Sequence, residues 1–190
     1  MKNIILLIMC VAGICATAQE YVFQKVDKEP GDWSGEYLIV RENDDMDDVE
    51  VFDGSNATLD RKKNTIHATA EHRASGRRYI MGDKTLCSAT FTISKTGDDT
   101  YSIRSHSGFY IGYNKAGAFE ADLKSNPSKP SENSIAMENG KTNVAIRSKN
   151  GFFLRFNADP ESLRFRYYAK GKKKAIKLYK KIELDTHTNK

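Results

Sequence analysis

The most constraining feature of this sequence is a fourteen-residue pattern at residues 101–114 that recurs at 144–157, with six identical positions. Both copies carry the pattern I-R-S-x-x-G-F and both end in Asn. An alternating strand, a polar turn that ends in Gly and an aromatic-rich strand are typical of a β-hairpin. A structural unit that is used more than once explains such a repeat. The repeat therefore predicts architecture, and it predicts no chemistry.

Equivalent hairpins should place equivalent side chains in equivalent environments. Gly108 and Gly151 are expected at turn positions that require a permissive backbone. The apolar residues that follow the glycines are expected in the core. They are Phe109 and Phe152, Ile111 and Leu154, and Tyr113 and Phe156.

The rest of the chain also consists of short runs in which apolar and polar residues alternate. No long stretch has the 3.6-residue apolar period of a helix. Turn signals such as Asp53-Gly54 and Asn139-Gly140 separate these runs. About eleven or twelve short strands at this spacing predict an all-β fold, either β-trefoil-like or another closed β-barrel. The Pro- and Ser-rich stretch Ser125–Ser131 is predicted to be a loop.

The N-terminus resembles an export signal. Lys2 is followed by the apolar run Ile4–Ala12 and by Ala16-Thr17-Ala18, which matches an A-x-A cleavage site. We therefore expect a signal peptide at 1–18, a single all-β domain at 19–184 and a flexible tail at 185–190. The expected location is secreted or periplasmic, without membrane insertion, because the only apolar run is short for a bilayer span.

No catalytic or metal site is expected. Cys87 is the only cysteine beyond the signal, and it lies in an apolar run that predicts a strand. His67, His72 and His106 do not belong to a recognisable catalytic motif or to a zinc-ligand spacing. The acidic run Asp44–Glu50 offers oxygen ligands but lacks the spacing of a calcium loop, so a solvated loop is predicted. No cofactor is expected.

The last hairpin is the best candidate for a binding site. If Leu163, Phe165 and Tyr167 face the core, alternation directs their neighbours outward, and the same holds around Ile176 and Leu178. The side chains predicted to form an exposed basic and aromatic face are Arg164, Arg166, Tyr168, Lys177 and Tyr179. Such a face suits an anionic glycan, and nucleic acid less well, through charge and stacking.

Three parts of the sequence carry a family resemblance: the run Asp32–Val40, the doubled hairpin, and the closing segments Phe165–Tyr168 and Ile176–Tyr179. Together they resemble a small all-β module of secreted Bacteroidetes proteins, and the hairpins are similar to the repeats of β-trefoil proteins. The resemblance implies an exported domain that binds sugars or proteins, and it implies no particular activity.

Two functions are compatible with these features. The first is a secreted, non-catalytic binding module for anionic glycans that uses the last hairpin. The second is a secreted protein-binding protein, such as a protease inhibitor, that uses exposed loops such as Asp44–Glu50 or Ser125–Ser131. Trp33 could stack on a sugar, but a single Trp beside a strand more often fills the end of a barrel.

Overall fold

The structure is a computed structural model that describes residues 21–43, 47–113, 120–121, 124–126, 128–138, 142–169 and 173–184. The expected signal peptide at 1–18 and the expected tail at 185–190 lie outside the described residues. So do residues 44–46 of the acidic run and residues 170–172.

Strands dominate the described residues, which confirms the all-β expectation. In chain order the elements are β1 (Tyr21–Lys25), β2 (Gly35–Glu42), β3 (Asp48–Phe52), β4 (Thr65–Thr69), β5 (Glu71–His72), β6 (Arg78–Met81), α1 (Lys84–Ser88), β7 (Phe91–Lys95), β8 (Tyr101–Ser105), β9 (Tyr110–Gly112), β10 (Glu120–Ala121), β11 (Lys124–Asn126), β12 (Asn133–Met137), β13 (Val144–Ser148), β14 (Phe153–Asn157), β15 (Arg164–Tyr168) and β16 (Lys177–Glu183).

All of these strands pair in antiparallel fashion within one sheet. Its longest path is β10-β15-β14-β13-β12-β8-β7-β2-β16-β1-β6-β5, and β3, β4, β9 and β11 branch from this path. Pairing between the strands does not close the sheet. Two isolated bridges occur outside these strand pairs. Val144 donates its N–H to the carbonyl of Ile176 at 2.9 Å, and Phe156 pairs with Lys174.

The sheet buries apolar side chains on both of its faces. Strand β2 illustrates this, because Ile39 belongs to one core cluster whereas Leu38 and Val40 belong to a second one. The larger cluster contains Trp33, which is 2% exposed and therefore unavailable for stacking on a sugar. A strand buried on both faces reads as a continuous apolar run rather than an alternating one, as β2 does.

The two similar hairpins have the same turn. In the first, the Ser105 hydroxyl donates to the carbonyl of Phe109 at 3.1 Å and accepts from the N–H of that residue at 3.2 Å. In the second, Ser148 makes both bonds to Phe152, each at 3.2 Å. The serine of I-R-S thus satisfies the backbone groups of the turn, which explains why this hydroxyl is in both copies.

The predictions are confirmed for both glycines and for four of the six core positions. Gly108 and Gly151 have φ values of +94° and +85°, which favour glycine. Of the six apolar positions, four are buried and the two Phe residues next to the glycines are half-buried against the core. The buried ones are Ile111, Leu154, Tyr113 and Phe156.

One local prediction is wrong and a second holds only in part. Cys87 lies in helix α1 rather than in a strand, because Asp83 caps the helix by accepting the N–H of Leu86. The segment predicted as the loop Ser125–Ser131 begins inside β11, which pairs with β9. In both places, a local cap or a partner strand outweighs the composition of the segment.

Candidate ligand-binding face

Strands β14 and β15 present a row of arginines on the side away from the larger core cluster. The core-facing residues of these strands are Leu154, Phe156, Phe165 and Tyr167. The residues between them form three cross-strand pairs: Phe153 with Tyr168, Arg155 with Arg166, and Asn157 with Arg164. Residues paired in this way project from the same face.

The same face continues onto β13 and β12. Arg147 on β13 is the register partner of Phe153 on β14 and of Ser134 on β12. A row of side chains, Ser134-Arg147-Phe153-Tyr168, therefore crosses four strands, and three interstrand spacings make it roughly 14 Å long. We define the arginine face as Arg147, Phe153, Arg155, Arg164, Arg166 and Tyr168.

Arg155 and Arg166 are directly opposite one another, an arrangement that is unfavourable for two like charges. Each of them has a carboxylate partner from another part of the chain. Arg166 makes a bidentate ion pair with Asp60, at 2.9 and 3.0 Å, and Arg155 pairs with Glu138. The two carboxylates offset the repulsion and hold both guanidinium groups in place.

Asp60 reaches the face because a buried side chain anchors its loop to β15. The amide of Asn64 donates to the carbonyls of Leu59 and Phe165, at 2.7 and 2.9 Å, and accepts the N–H of Phe165 at 2.8 Å. These bonds join the loop to a strand 101 positions further along the chain. The partner of Arg166 is therefore positioned by tertiary structure.

Two guanidinium donors on this face have no hydrogen-bond partner among the described residues. They are Nη1 of Arg155 and Nε of Arg164, and both atoms are buried. Arg155 is only 7% exposed. Leaving a buried donor of a charged group without a partner costs free energy, so these N–H groups favour an acceptor at this position.

Aromatic rings support the cations at the more exposed end of the face. The guanidinium carbons of Arg147 and Arg155 lie 5.9 and 5.2 Å from the centre of the Phe153 ring. The ammonium of Lys173 lies 5.8 Å from the centre of the Tyr168 ring. Arg147 and Lys173 are exposed, so they extend the positive charge from the buried arginines to solvent.

A small cavity adjoins this exposed end. It has a volume of about 180 Å³ and is lined by Thr100, Glu132, Asn133, Ser134, Arg147, Ser148 and Lys149. The ammonium of Lys149 is 2.9 Å from the carboxylate of Glu132, and both side chains are more than half exposed. Arg147 belongs to both the cavity and the arginine face.

Not all of the predicted binding residues lie on the exposed face. Arg164 and Arg166 lie on the predicted face, as alternation from Phe165 and Tyr167 requires. Tyr168 is on that face too, but it is 4% exposed, so its prediction as an exposed residue is wrong. Lys177 lies on another strand and donates to the hydroxyl of Thr142 at 2.7 Å.

The prediction that Tyr179 is exposed is also wrong. Its side chain is completely buried in the second core cluster, where its hydroxyl donates to Glu42. Burial raises the pKa of Tyr179, and the neighbouring Glu42 charge raises it further. The register prediction was correct because Leu178 faces the larger core, but the opposite face of β16 is covered by a second layer of side chains.

The residues weighed for catalysis are dispersed. Cys87 is a half-buried free thiol in α1, whereas His67 on β4 lies 3.5 Å from carboxylate oxygens of Asp48 and Glu50. Within the described ranges, no three His, Cys, Asp or Glu side chains come together to hold a metal ion.

Several residues of the site were not selected from the sequence: Arg147, Arg155, Asp60 and Glu138. Arg155 could have been found by comparing the two copies, since Gly112 occupies its place in the first one. The carboxylates could not have been found, because they come from distant segments.

Comparison with protein-family models and with curated proteins gave no match for this chain. Among the residues that the structure describes, no helix is both long and apolar enough to cross a membrane.

Proposed function

We propose that this protein is a secreted or periplasmic, non-catalytic binding module that holds an anionic glycan on the arginine face. The observation that carries the proposal is the arginine face itself, where the exposed cations Arg147 and Lys173 continue the charge of Arg155 and Arg164, whose buried N–H groups lack partners among the described residues. A sulfate or carboxylate group would accept hydrogen bonds from the exposed guanidinium of Arg147 and would be attracted by the neighbouring cations. The export part of the proposal depends on the signal-like N-terminus.

The surroundings of the face favour a sugar over nucleic acid. Single-stranded nucleic acid binds to aromatic side chains on which successive bases stack, but Tyr168 and Tyr179 are buried. The phosphate groups of a nucleic acid offer no hydrogen-bond donor to the carboxylates of Glu138 and Glu132. In contrast, carboxylates and hydroxyl groups both accept hydrogen bonds from sugar hydroxyls.

The test removes Arg147 and Arg164, two arginines without a carboxylate partner among the described residues, and measures binding of dextran sulfate by titration calorimetry. The matched control is Arg73→Ala/Arg77→Ala, which removes the same charge from the turn between β5 and β6, at the other end of the strand order. Because a hydrogen bond to a charged group contributes about 1.5–3 kcal/mol, we expect the double variant Arg147→Ala/Arg164→Ala to bind roughly 100-fold more weakly.

Neutral dextran should not bind to any of these variants. Equal weakening in the two double variants would mean that only net charge matters, and the site would be wrong. Binding of the purified protein to a protease, with no response to dextran sulfate, would instead favour the inhibitor alternative. Preferential binding of an oligonucleotide would overturn the choice of glycan.

We also propose that the sheet forms a β-trefoil-like closed barrel. Strands β2, β7, β8, β12 and β13 are successive neighbours, and β16 pairs with β2 at one end of this set. The bond from Val144 to Ile176 would close the ring at the other end. If it does, the amide of Val144 should be as protected from hydrogen exchange as that of Ile146 in the centre of β13. Rapid exchange at Val144 would indicate an open edge.

A further inference from the structure

We infer that the ligand is a chain of at least two linked sugars, with one unit in the cavity beside β12 and β13 and its anionic neighbour on the arginine face. This inference depends on the proposed function and defines the ligand more closely. A single sulfated or carboxylated sugar would then be an incomplete ligand.

The first argument is position. Arg147 lines the cavity, and its guanidinium also lies over Phe153, which in turn lies under Arg155. The cavity therefore adjoins the arginine face through Arg147 and Phe153. The part of the row that reaches solvent, from Ser134 to Phe153, spans roughly 10 Å, which exceeds the size of one sugar ring.

The second argument is the chemistry of the cavity. Its lining offers the hydroxyls of Thr100 and Ser134, the carboxylate of Glu132 and the ammonium of Lys149. This mixture of donors and acceptors matches the hydroxyl groups of a neutral sugar unit. A volume of about 180 Å³ is enough to hold one ring-sized group.

The third argument comes from the first hairpin, which has a similar row of paired side chains but lacks an arginine equivalent to Arg155. Arg104 pairs with Thr92 and Tyr110, as Arg147 pairs with Ser134 and Phe153. However, Gly112 stands where the second hairpin has Arg155, and a Cβ atom there would lie 2.2 Å from the Cβ of Ser131. An arginine cannot be accommodated at that position, so the first hairpin provides a natural control.

The experiment measures binding of inorganic sulfate, a sulfated monosaccharide, and sulfated di- and tetrasaccharides to the full chain by calorimetry. Parallel titrations with uronic-acid oligomers distinguish sulfate from carboxylate as the anion. We expect the disaccharide to bind at least about tenfold more tightly than the monosaccharide, because hydrogen bonds to the charged Glu132 and Lys149 are added.

Glu132→Ala gives the sharpest result, because the two explanations predict opposite signs. If attraction between charges alone determines binding, removal of a carboxylate should strengthen the binding of a polyanion. We expect about tenfold weaker binding of the tetrasaccharide and unchanged binding of the monosaccharide, since the lost acceptor serves only the second unit. The side chain is exposed, so folding should not change.

Arg104→Ala should leave all four affinities unchanged, whereas Arg147→Ala should reduce the gain from chain length. Equal affinities for mono- and disaccharide, or tighter tetrasaccharide binding by Glu132→Ala, would overturn this inference and leave the proposed function standing. No binding of any anionic sugar would overturn both.

Discussion

Replacement of Asn64 by alanine tests how the fold holds the loop that carries Asp60. Asn64 is 1% exposed, and its side chain makes three hydrogen bonds to backbone groups, two of them to Phe165. Phe165 is itself completely buried and stacks on Phe52 with ring centres 5.1 Å apart. The side chain of Asn64 therefore satisfies backbone groups of a core strand that the neighbouring strand leaves unpaired.

The expected cost follows from the groups that lose a partner. The alanine variant leaves one N–H and two carbonyls without their side-chain partner, and each such buried group costs about 1–3 kcal/mol. Water entering the space would recover part of this, so we expect the free energy of unfolding to fall by about 3–5 kcal/mol. Since domains of this kind are stable by about 5–15 kcal/mol, the variant should still fold at 25 °C.

Urea unfolding followed by fluorescence of Trp33, the only Trp in the chain, measures this loss. The control is Asn56→Ala. Asn56 accepts two bonds from Thr58 within an exposed turn, at 2.9 and 2.7 Å, so its loss should cost less than about 1 kcal/mol. If the two variants lose the same stability, the bonds of Asn64 do not contribute as the structure implies.

Two further predictions concern the turn and the buried carboxylate. Gly151→Ala should lower the free energy of unfolding by about 1–2 kcal/mol, because the φ angle of Gly151 is +85°. The control is Gly31→Ala, which should be nearly neutral because the added Cβ meets no atom within 4 Å. Equal melting temperatures of the two variants would contradict this. Burial alone would raise the pKa of Glu42, but hydrogen bonds from Lys25 and Tyr179 hold this pKa below its usual 4.5. The stabilisation that results is complete above pH 4.5 and is lost as the pH falls below this value. The free energy of unfolding, measured from pH 6 to pH 3, should therefore fall less steeply in Glu42→Gln than in the unchanged protein. The same slope in both proteins would contradict this.

The positions of the hairpins could be predicted from the sequence alone. The doubled I-R-S-x-x-G-F pattern contains its own turn, since the Ser hydroxyl satisfies the turn backbone and the Gly adopts positive φ. Local chemistry of this kind does not depend on the rest of the chain. For the same reason, alternation around Phe165 correctly placed Arg164 and Arg166 on one face.

The exposure of that face could not be predicted. Tyr179 projects away from the larger core cluster, as alternation requires, but Phe23, Leu38 and Ile80 cover it with a second apolar cluster. Alternation determines which face a side chain joins. It does not determine whether another layer covers that face, because the covering strands β1 and β6 come from the beginning and middle of the chain.

The sequence by itself thus determined the all-β class, the two equivalent turns and the face on which the arginines lie, because each follows from contacts between residues close in the chain. Tertiary structure alone decided which cations keep unpartnered donors. Asp60 reaches Arg166 across 106 positions and Glu138 reaches Arg155 from a different hairpin, so the charge left over for a ligand depends on long-range packing.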